Sequence, residues 1–529
     1  MAVASVEVLL RGLRRFAVHP PIPMKISFHL CALLLAFPLS CLAAQGNARP
    51  NFVYILADDL GYGDVRCLNP EGKIATPHMD RLAAEGMRFT DTHSSSAVCT
   101  PTRYGIMTGR YNWRSRLKSG VQGGMSPDLI EPGRPTVASF LKNEGYHTAC
   151  FGKWHLGFDW YRFPDKPPFG DGIEKGPDGW NVDFTKPFGG GPLRVGFEHY
   201  FGIAASLDMV PYTFLEDQHV TELPTVDKSF EMTAGEDKKG RTRVGPAAAS
   251  FEAVNVLPEI TRRAVRYIHE HAVEAKGGRP FFVYLPLNAP HTPIAPSPEW
   301  QGKSGISPYA DFVMQTDATL GAILDALDES GLRENTLVVM TSDNGCSNQA
   351  NLPQLATFGH NPNHVFRGHK ADIFDGGHHI PFIARWPGVV PPNSVYKELA
   401  CLNDWFATVA DIVGKPVPEN AAEDSTSLLP ALKGDLNPVR KRLIHHSVNG
   451  SFALRQGQWK LILAQDSGGW SAPKPGSPQA KGLPPVQLYD LSQDISETRN
   501  LQAEEPELVS QLTRALLSEI GNGSTPAAR

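Results

Sequence analysis

The seven cysteines of this 529-residue chain include no C-x-x-C pair. That excludes a zinc ribbon and a dithiol redox motif. Charge of one sign is also scarce. Lys and Arg number 50 against 55 Asp and Glu, a formal net charge of −5. There is no basic field for nucleic acid and no acidic solvating tail. No H-E-x-x-H helix and no G-x-S-x-G elbow occurs. Gly302-Lys303-Ser304 looks like the close of a P-loop, but Ser297 stands where its first glycine belongs. The apolar run Ile26 to Leu42 is too short and too interrupted for a stable membrane span.

What is present describes a large, loop-rich globular protein. Hydrophobic residues make up 41% and charged residues 20%, so a sizeable core forms and wholesale disorder is excluded. Gly (49) and Pro (45) exceed average use but together stay below the ~25–30% of low-complexity chains. The length suggests two to four domains, or one large α/β domain with an appendage. The Ile26–Leu42 run follows Lys25 and leads into Cys41-Leu42-Ala43-Ala44, small residues suited to signal peptidase. Residues 1–44 therefore read as a secretory leader, with Met24 an alternative start. Export to a periplasmic, extracellular or lysosome-like compartment is expected. Five cysteines then remain in the mature chain (67, 99, 150, 346 and 401), and an odd thiol in an exported protein needs an explanation.

Asn51–Ala57, Thr148–Phe151, Phe281–Leu285 and Thr336–Met340 are short β-prone runs. Leu257–Ala275 and Asp311–Leu327 carry helical patterns between them. The alternation predicts an α/β fold with a large, mostly parallel sheet flanked by helices over residues 45–430. Residues 160–250 are weakly periodic and read as long pocket-shaping loops. From 431 to 529 the pattern changes to antiparallel strands (Phe452–Arg455, Trp459–Leu463, Gln487–Leu491) and a closing helix, Glu504–Ile520. This is a small C-terminal α+β subdomain.

Each principal strand ends in polar residues, and in an open parallel sheet those ends share one edge. Asp58, Asp59, Asp343 and Asn344 offer hard oxygen ligands suited to Ca²⁺ or Mg²⁺. Lys153, His155, His291 and Lys370 are cations or proton carriers. Together they describe an oxyanion pocket. Singly, each has a plainer reading: Asp58-Asp59 as a helix cap, Asp343-Asn344-Gly345 as a turn, His291 as loop packing. Cys99-Thr-Pro-Thr-Arg103 precedes a helix, and Pro101 suits its first turn. Cys99 would sit at a helix N-terminus, where the dipole favours an anion.

Cys99-Thr-Pro-Thr-Arg103 resembles the signature of the type I sulfatases, in the alkaline-phosphatase-like superfamily. Gly145 to Gly157 is similar to that family's second signature. Asp58-Asp59, Asn288-Ala-Pro-His291, Asp343-Asn344-Gly345 and Gly368-His-Lys370 match in order. The resemblance spans about residues 50–390. It implies that a maturation enzyme oxidises Cys99 to Cα-formylglycine, which accounts for the odd thiol. One hydroxyl of the hydrated aldehyde attacks sulfur and displaces the alcohol; the other then loses its proton and expels sulfate. The resemblance implies Ca²⁺ on Asp58, Asp59, Asp343, Asn344 and modified Cys99. It implies that Arg103 and Lys153 hold the formylglycine and that His155 assists elimination. His291 and Lys370 would bind sulfate and support the departing oxygen, Asp343 would help deprotonate the attacking hydroxyl, and Ser206 would contact the diol. Thr102 and His379 depart from the commoner Ser or Ala and Arg of the family.

A phosphoesterase or phosphonate hydrolase on the same scaffold, or a silent sulfated-glycan binder, remains open at this stage. The substrate is an aryl or carbohydrate sulfate. The aromatic and basic run Tyr111, Trp113, Arg114 and Arg116 suggests a saccharide or, equally, surface residues beside a helix. The five histidines from His360 to His379 either line the pocket or decorate loops.

Overall fold

A computed structural model of the chain describes residues 49–233 and 240–521. The leader, residues 1–44, lies outside the described residues. Among them, no helix is long and apolar enough to cross a membrane.

All seven residues of the Asn51–Ala57 strand are buried, as a strand covered on both faces requires. It lies between Phe281–Pro286 and Thr336–Ser342, parallel to both, with Val53 opposite Val283 on one side and Val338 on the other. Asn51 pins the register where these strands begin: its Nδ2 donates to Thr336 Oγ1 (3.3 Å) and its Oδ1 accepts from the Phe281 amide (3.1 Å). His147–Lys153 and then His199–Ile203 continue the parallel run. Antiparallel strands flank this parallel run on both sides: Phe382–Arg385 beside Thr336–Ser342, and Leu215–Glu216 beside His199–Ile203. The whole is a ten-stranded sheet.

The expected helices form with slightly wider bounds, Val256–Lys276 and Pro308–Glu329. Each feeds the strand that follows it. Ser307 caps the second, its hydroxyl accepting from the Ala310 amide, with Pro308 in the first turn. The two helices pack together through Thr261 Oγ1 and Thr319 Oγ1, 3.1 Å apart.

The segment 160–250 is not all loop, since it supplies the parallel strand His199–Ile203. Glycine hid it. A Cβ on Gly202 would come within 1.8 Å of the Gly152 carbonyl oxygen, so close strand approach demands the residue that breaks the apolar pattern.

Arg442–His446, Phe452–Gln456, Trp459–Ile462 and Gln487–Asp490 form a four-stranded antiparallel sheet. Alternation divides its faces. Ile444, Leu454, Leu461 and Leu488 pack with Leu512 and Leu516 of the terminal helix, Pro506–Gly521. Ala453, Ile462 and Tyr489 pack against Ile373 and Phe374. Lys460 shares this second face. It is fully buried, with Nζ 2.6 Å from Asp375 Oδ1 and 2.7 Å from Glu497 Oε1. His446 places Nδ1 3.0 Å from Ser96 Oγ, joining this sheet to the segment that leads into Cys99.

Two stability predictions follow from these buried charges and rings. Lys460→Met strands two buried carboxylates, so its unfolding free energy in urea should fall by about 3–5 kcal/mol. Burial lowers the His446 imidazole to about 4, against about 6.5 in the unfolded chain. The unfolded state therefore binds more protons between those values, and stability falls as pH drops from about 6.5 towards 4. His446→Gln should remove about 3 kcal/mol of the loss measured between pH 7 and pH 4.

Candidate active site

The carboxyl ends of the central strands bring together residues from Asp58 to Asn344 in the sequence. Asp58 and Asp59 follow Asn51–Ala57, and Lys153 ends the His147–Lys153 strand with His155 just beyond. Asn288 to His291 follow Phe281–Pro286, and Asp343-Asn344 follow Thr336–Ser342. Asp59 and His155 both have positive φ, 66° and 59°, a conformation non-glycine residues adopt only when their surroundings fix it. The Asp59 amide donates to Asp343 Oδ1 (3.3 Å), and the Tyr309 hydroxyl donates to the Asp59 carbonyl (3.3 Å). The Trp154 and His155 amides bond the Ile203 and Ala204 carbonyls.

Three buried carboxylates meet three buried cations here. Arg103, on the second turn of the Cys99–Thr108 helix, sends Nε and Nη2 to Asp343 Oδ2 (3.0 and 2.8 Å) and Nη1 to the Lys153 carbonyl (2.8 Å). Lys153 Nζ lies 2.6 Å from Asp58 Oδ2. Lys370 Nζ lies 2.7 and 2.9 Å from the two Asp59 oxygens. Burial opposes ionisation of Asp58, but Lys153, His291, Arg103 and Lys370 hold its carboxyl well below the usual range. Burial and the adjoining Asp58 charge push Asp343 up to about 6, against Arg103 and Lys153. Burial works against the Lys370 charge, and Asp59 more than restores it.

Two oxygens in this cluster lack a hydrogen-bond partner although buried: Asp58 Oδ1 and Asn344 Oδ1. The other Asn344 atom, Nδ2, donates to Asp59 Oδ1 at 2.7 Å. Ligand atoms of Asp58, Asp59 and His291 lie within 4.8 Å of one another. Partnerless oxygens among carboxylates fit a hard cation of the Ca²⁺ or Mg²⁺ type.

Both histidines offer a lone pair. His155 Nε2 sits 2.7 Å from the Gln122 carbonyl, so it carries the proton and leaves the buried, partnerless Nδ1 as a base. Burial, Lys153 and Arg103 keep this ring neutral. His291 Nδ1 lies 2.6 Å from the Thr292 carbonyl, which leaves Nε2 facing Asp59 Oδ2 at 3.7 Å. Burial and Lys370 lower its basicity. Cys99 opens its helix and is buried, and burial raises the thiol despite Lys153 and Lys370. Ser206 is buried with a partnerless hydroxyl, two residues beyond the carbonyl that holds His155.

Sequence reasoning assigned no role to Gln122, which positions His155, or to Asn288, whose side-chain oxygen and nitrogen are both buried and unpaired. Asn288 follows a strand end, the signal that found its neighbours. The run at Tyr111 is not a saccharide surface. Tyr111 and Trp113 stack at 4.1 Å and are buried beside Phe452, and Arg114 pairs with Asp424 at 2.9 Å. Several of the later histidines are structural. His360 bonds Asp64 at 2.8 Å. His378 stacks on His445 at 3.8 Å. His379 bonds the Thr90 carbonyl at 2.9 Å and stacks on Phe366. The five cysteines of the described residues are all free.

Comparison with known proteins agrees with this geometry. The family profile described as Sulfatase matches residues 50–415. An N-acetylgalactosamine-6-O-sulfatase of Bacteroides thetaiotaomicron is 33% identical, over 90% of this chain and 94% of its own. Human arylsulfatase A is 32% identical, over 89% of this chain and 86% of its own. A solved structure from work on glycosaminoglycan metabolism by Bacteroides thetaiotaomicron superposes with a TM-score of 0.76 at 33% identity, covering 90% of this chain and all of that one. With the motifs in order at one sheet edge and a profile match over most of the chain, this protein belongs to the sulfatase family.

Proposed function

We propose that this sulfatase is an exported enzyme that releases sulfate from a carbohydrate sulfate ester, using formylglycine made from Cys99 and one bound Ca²⁺. The observation that carries the reading is the buried cluster of three carboxylates and three cations beside Cys99, with two oxygens left partnerless. Without a metal its charges cancel. A divalent cation would leave it net positive, as capture of an anionic ester requires. Burial also raises the thiol of an unmodified Cys99, which would make it a poor nucleophile and argues for the aldehyde as the working form.

Asp58, Asp59, Asp343 and Asn344 would hold the ion, with the modified Cys99 completing the set. The hydrated aldehyde would supply a geminal diol, and the ion would draw charge from a sulfate oxygen. Arg103 and Lys153 fix the carboxylates, and so the wall against which residue 99 rests. Asp343 helps deprotonate the attacking hydroxyl. Lys370 binds sulfate oxygens, and His291, once its Nε2 has taken up a proton, joins it in binding sulfate and supporting the departing oxygen. His155 Nδ1 takes the proton of the second hydroxyl, which lets sulfate depart. Ser206 orients that hydroxyl. The carbohydrate preference rests on the named N-acetylgalactosamine-6-O-sulfatase relative.

The test is sulfate release from N-acetylgalactosamine 6-sulfate and p-nitrophenyl sulfate, with p-nitrophenyl phosphate in parallel. Sulfate esters should turn over and phosphate should lag far behind; faster phosphate hydrolysis would overturn the reading. Chelation should abolish activity and Ca²⁺ should restore it in the wild type but not in Asp58→Asn. Lys370→Met should lower kcat about 10²–10³-fold, checked on protein whose thermal midpoint shows it folded.

A further inference from the structure

A second pocket of about 310 Å³ lies along the 122–181 loops, walled by Met125, Ser126, Phe169, Ile173, Glu174 and Asn181. Its volume falls in the range of small-ligand sites. We propose that it is a sugar-ring subsite, which makes the enzyme prefer a sulfated oligosaccharide to the corresponding monosaccharide. This rests on the sulfatase reading of the catalytic centre and adds what lies beyond the sulfated residue.

The lining carries a polar anchor. Glu174 Oε1 is buried without a hydrogen-bond partner, while Oε2 accepts a long bond, 3.4 Å, from the Met125 amide. The place of this carboxyl is built in: a Cβ on Gly123 would come within 2.0 Å of Glu174 Oε2. Burial raises the group to about 7, so near neutrality it both donates and accepts, as vicinal sugar hydroxyls require.

Met125, Phe169 and Ile173 supply apolar walls to the same pocket. The amide of Phe163 bonds the Asn181 carbonyl and that of Asp183 bonds the Tyr161 carbonyl, with Arg162 directly opposite Val182. Alternation then puts Tyr161 and Phe163 on the face of Asn181, which lines the pocket. Tyr161 is 50% exposed, Phe163 40% and Trp180 37%. Apolar walls beside an unpaired carboxyl suit a pyranose, with C–H faces to pack and hydroxyls to bond.

The pocket is tied to the chemistry through one short segment. Gln122, whose carbonyl holds His155, donates from Nε2 to Asp171 Oδ1 at 2.9 Å and to the Pro127 carbonyl at 2.8 Å. Arg116 clamps the same Asp171. The wall residues Met125 and Ser126 lie between these anchors.

The experiment compares wild type, Glu174→Gln and Phe169→Ala on N-acetylgalactosamine 6-sulfate and on a tetrasaccharide bearing that residue. Each variant should raise KM for the tetrasaccharide about 10-fold, with kcat and both monosaccharide constants within about twofold. Calorimetric titration of the same tetrasaccharide after desulfation reads the subsite without catalysis. Wild type should bind it, and Glu174→Gln should bind about 10-fold more weakly. Equal losses on both substrates, no loss on either, or no binding by wild type would overturn the subsite. Binding intact in a protein that releases sulfate from no ester would support the subsite and count against the catalytic reading alone.

Discussion

Three carboxylates are buried at the ends of parallel strands, and the site depends on keeping them charged there. Isolated ionised groups do not survive in a protein interior. Asp58, Asp59 and Asp343 each meet one cation: Lys153, Lys370 and Arg103. Those partners come from a strand end, a late loop and the helix of Cys99. The electrostatic requirement therefore joins three distant parts of the chain at one sheet edge. Truncating any one partner leaves an uncompensated buried charge, the costly way to break such a pair.

The scaffold serves that convergence. Asn51 aligns the beginnings of three strands, so their carboxyl ends finish level. Glycines at 152 and 202 allow three neighbouring strands to approach closely just before Lys153 and Ser206. The C-terminal sheet braces the other side, with Lys460 held by Asp375 and Glu497 and His446 beside Ser96. The chain entering Cys99 is thus fixed from the main sheet and from the small one. A nucleophile positioned this way needs little reorganisation when a substrate arrives.

Much of this was legible in the sequence, for identifiable reasons. The central strands are continuous apolar runs, and their polar tails mark the strand ends. Asp58, Lys153, His291 and Asp343 could therefore be assigned to one edge before any coordinates. The pairing of Arg103 with Asp343 could not, because nothing in the spacing tells which acid a buried arginine will meet. The His199–Ile203 strand was hidden by the glycine its packing needs. Tyr111 and Trp113 looked like a binding surface because adjacent aromatic and basic residues have the same pattern whether they face solvent or stack inside a second core. Gln122 acts through its carbonyl, which no side-chain pattern reveals.

The central claim is that Cys99 works as an aldehyde within this compensated cluster and not as a thiol. Peptide mass spectrometry across Cys99, on protein purified from its native host, tests it most directly. The account predicts formylglycine at that position. An unmodified thiol in folded protein that still releases sulfate would contradict it.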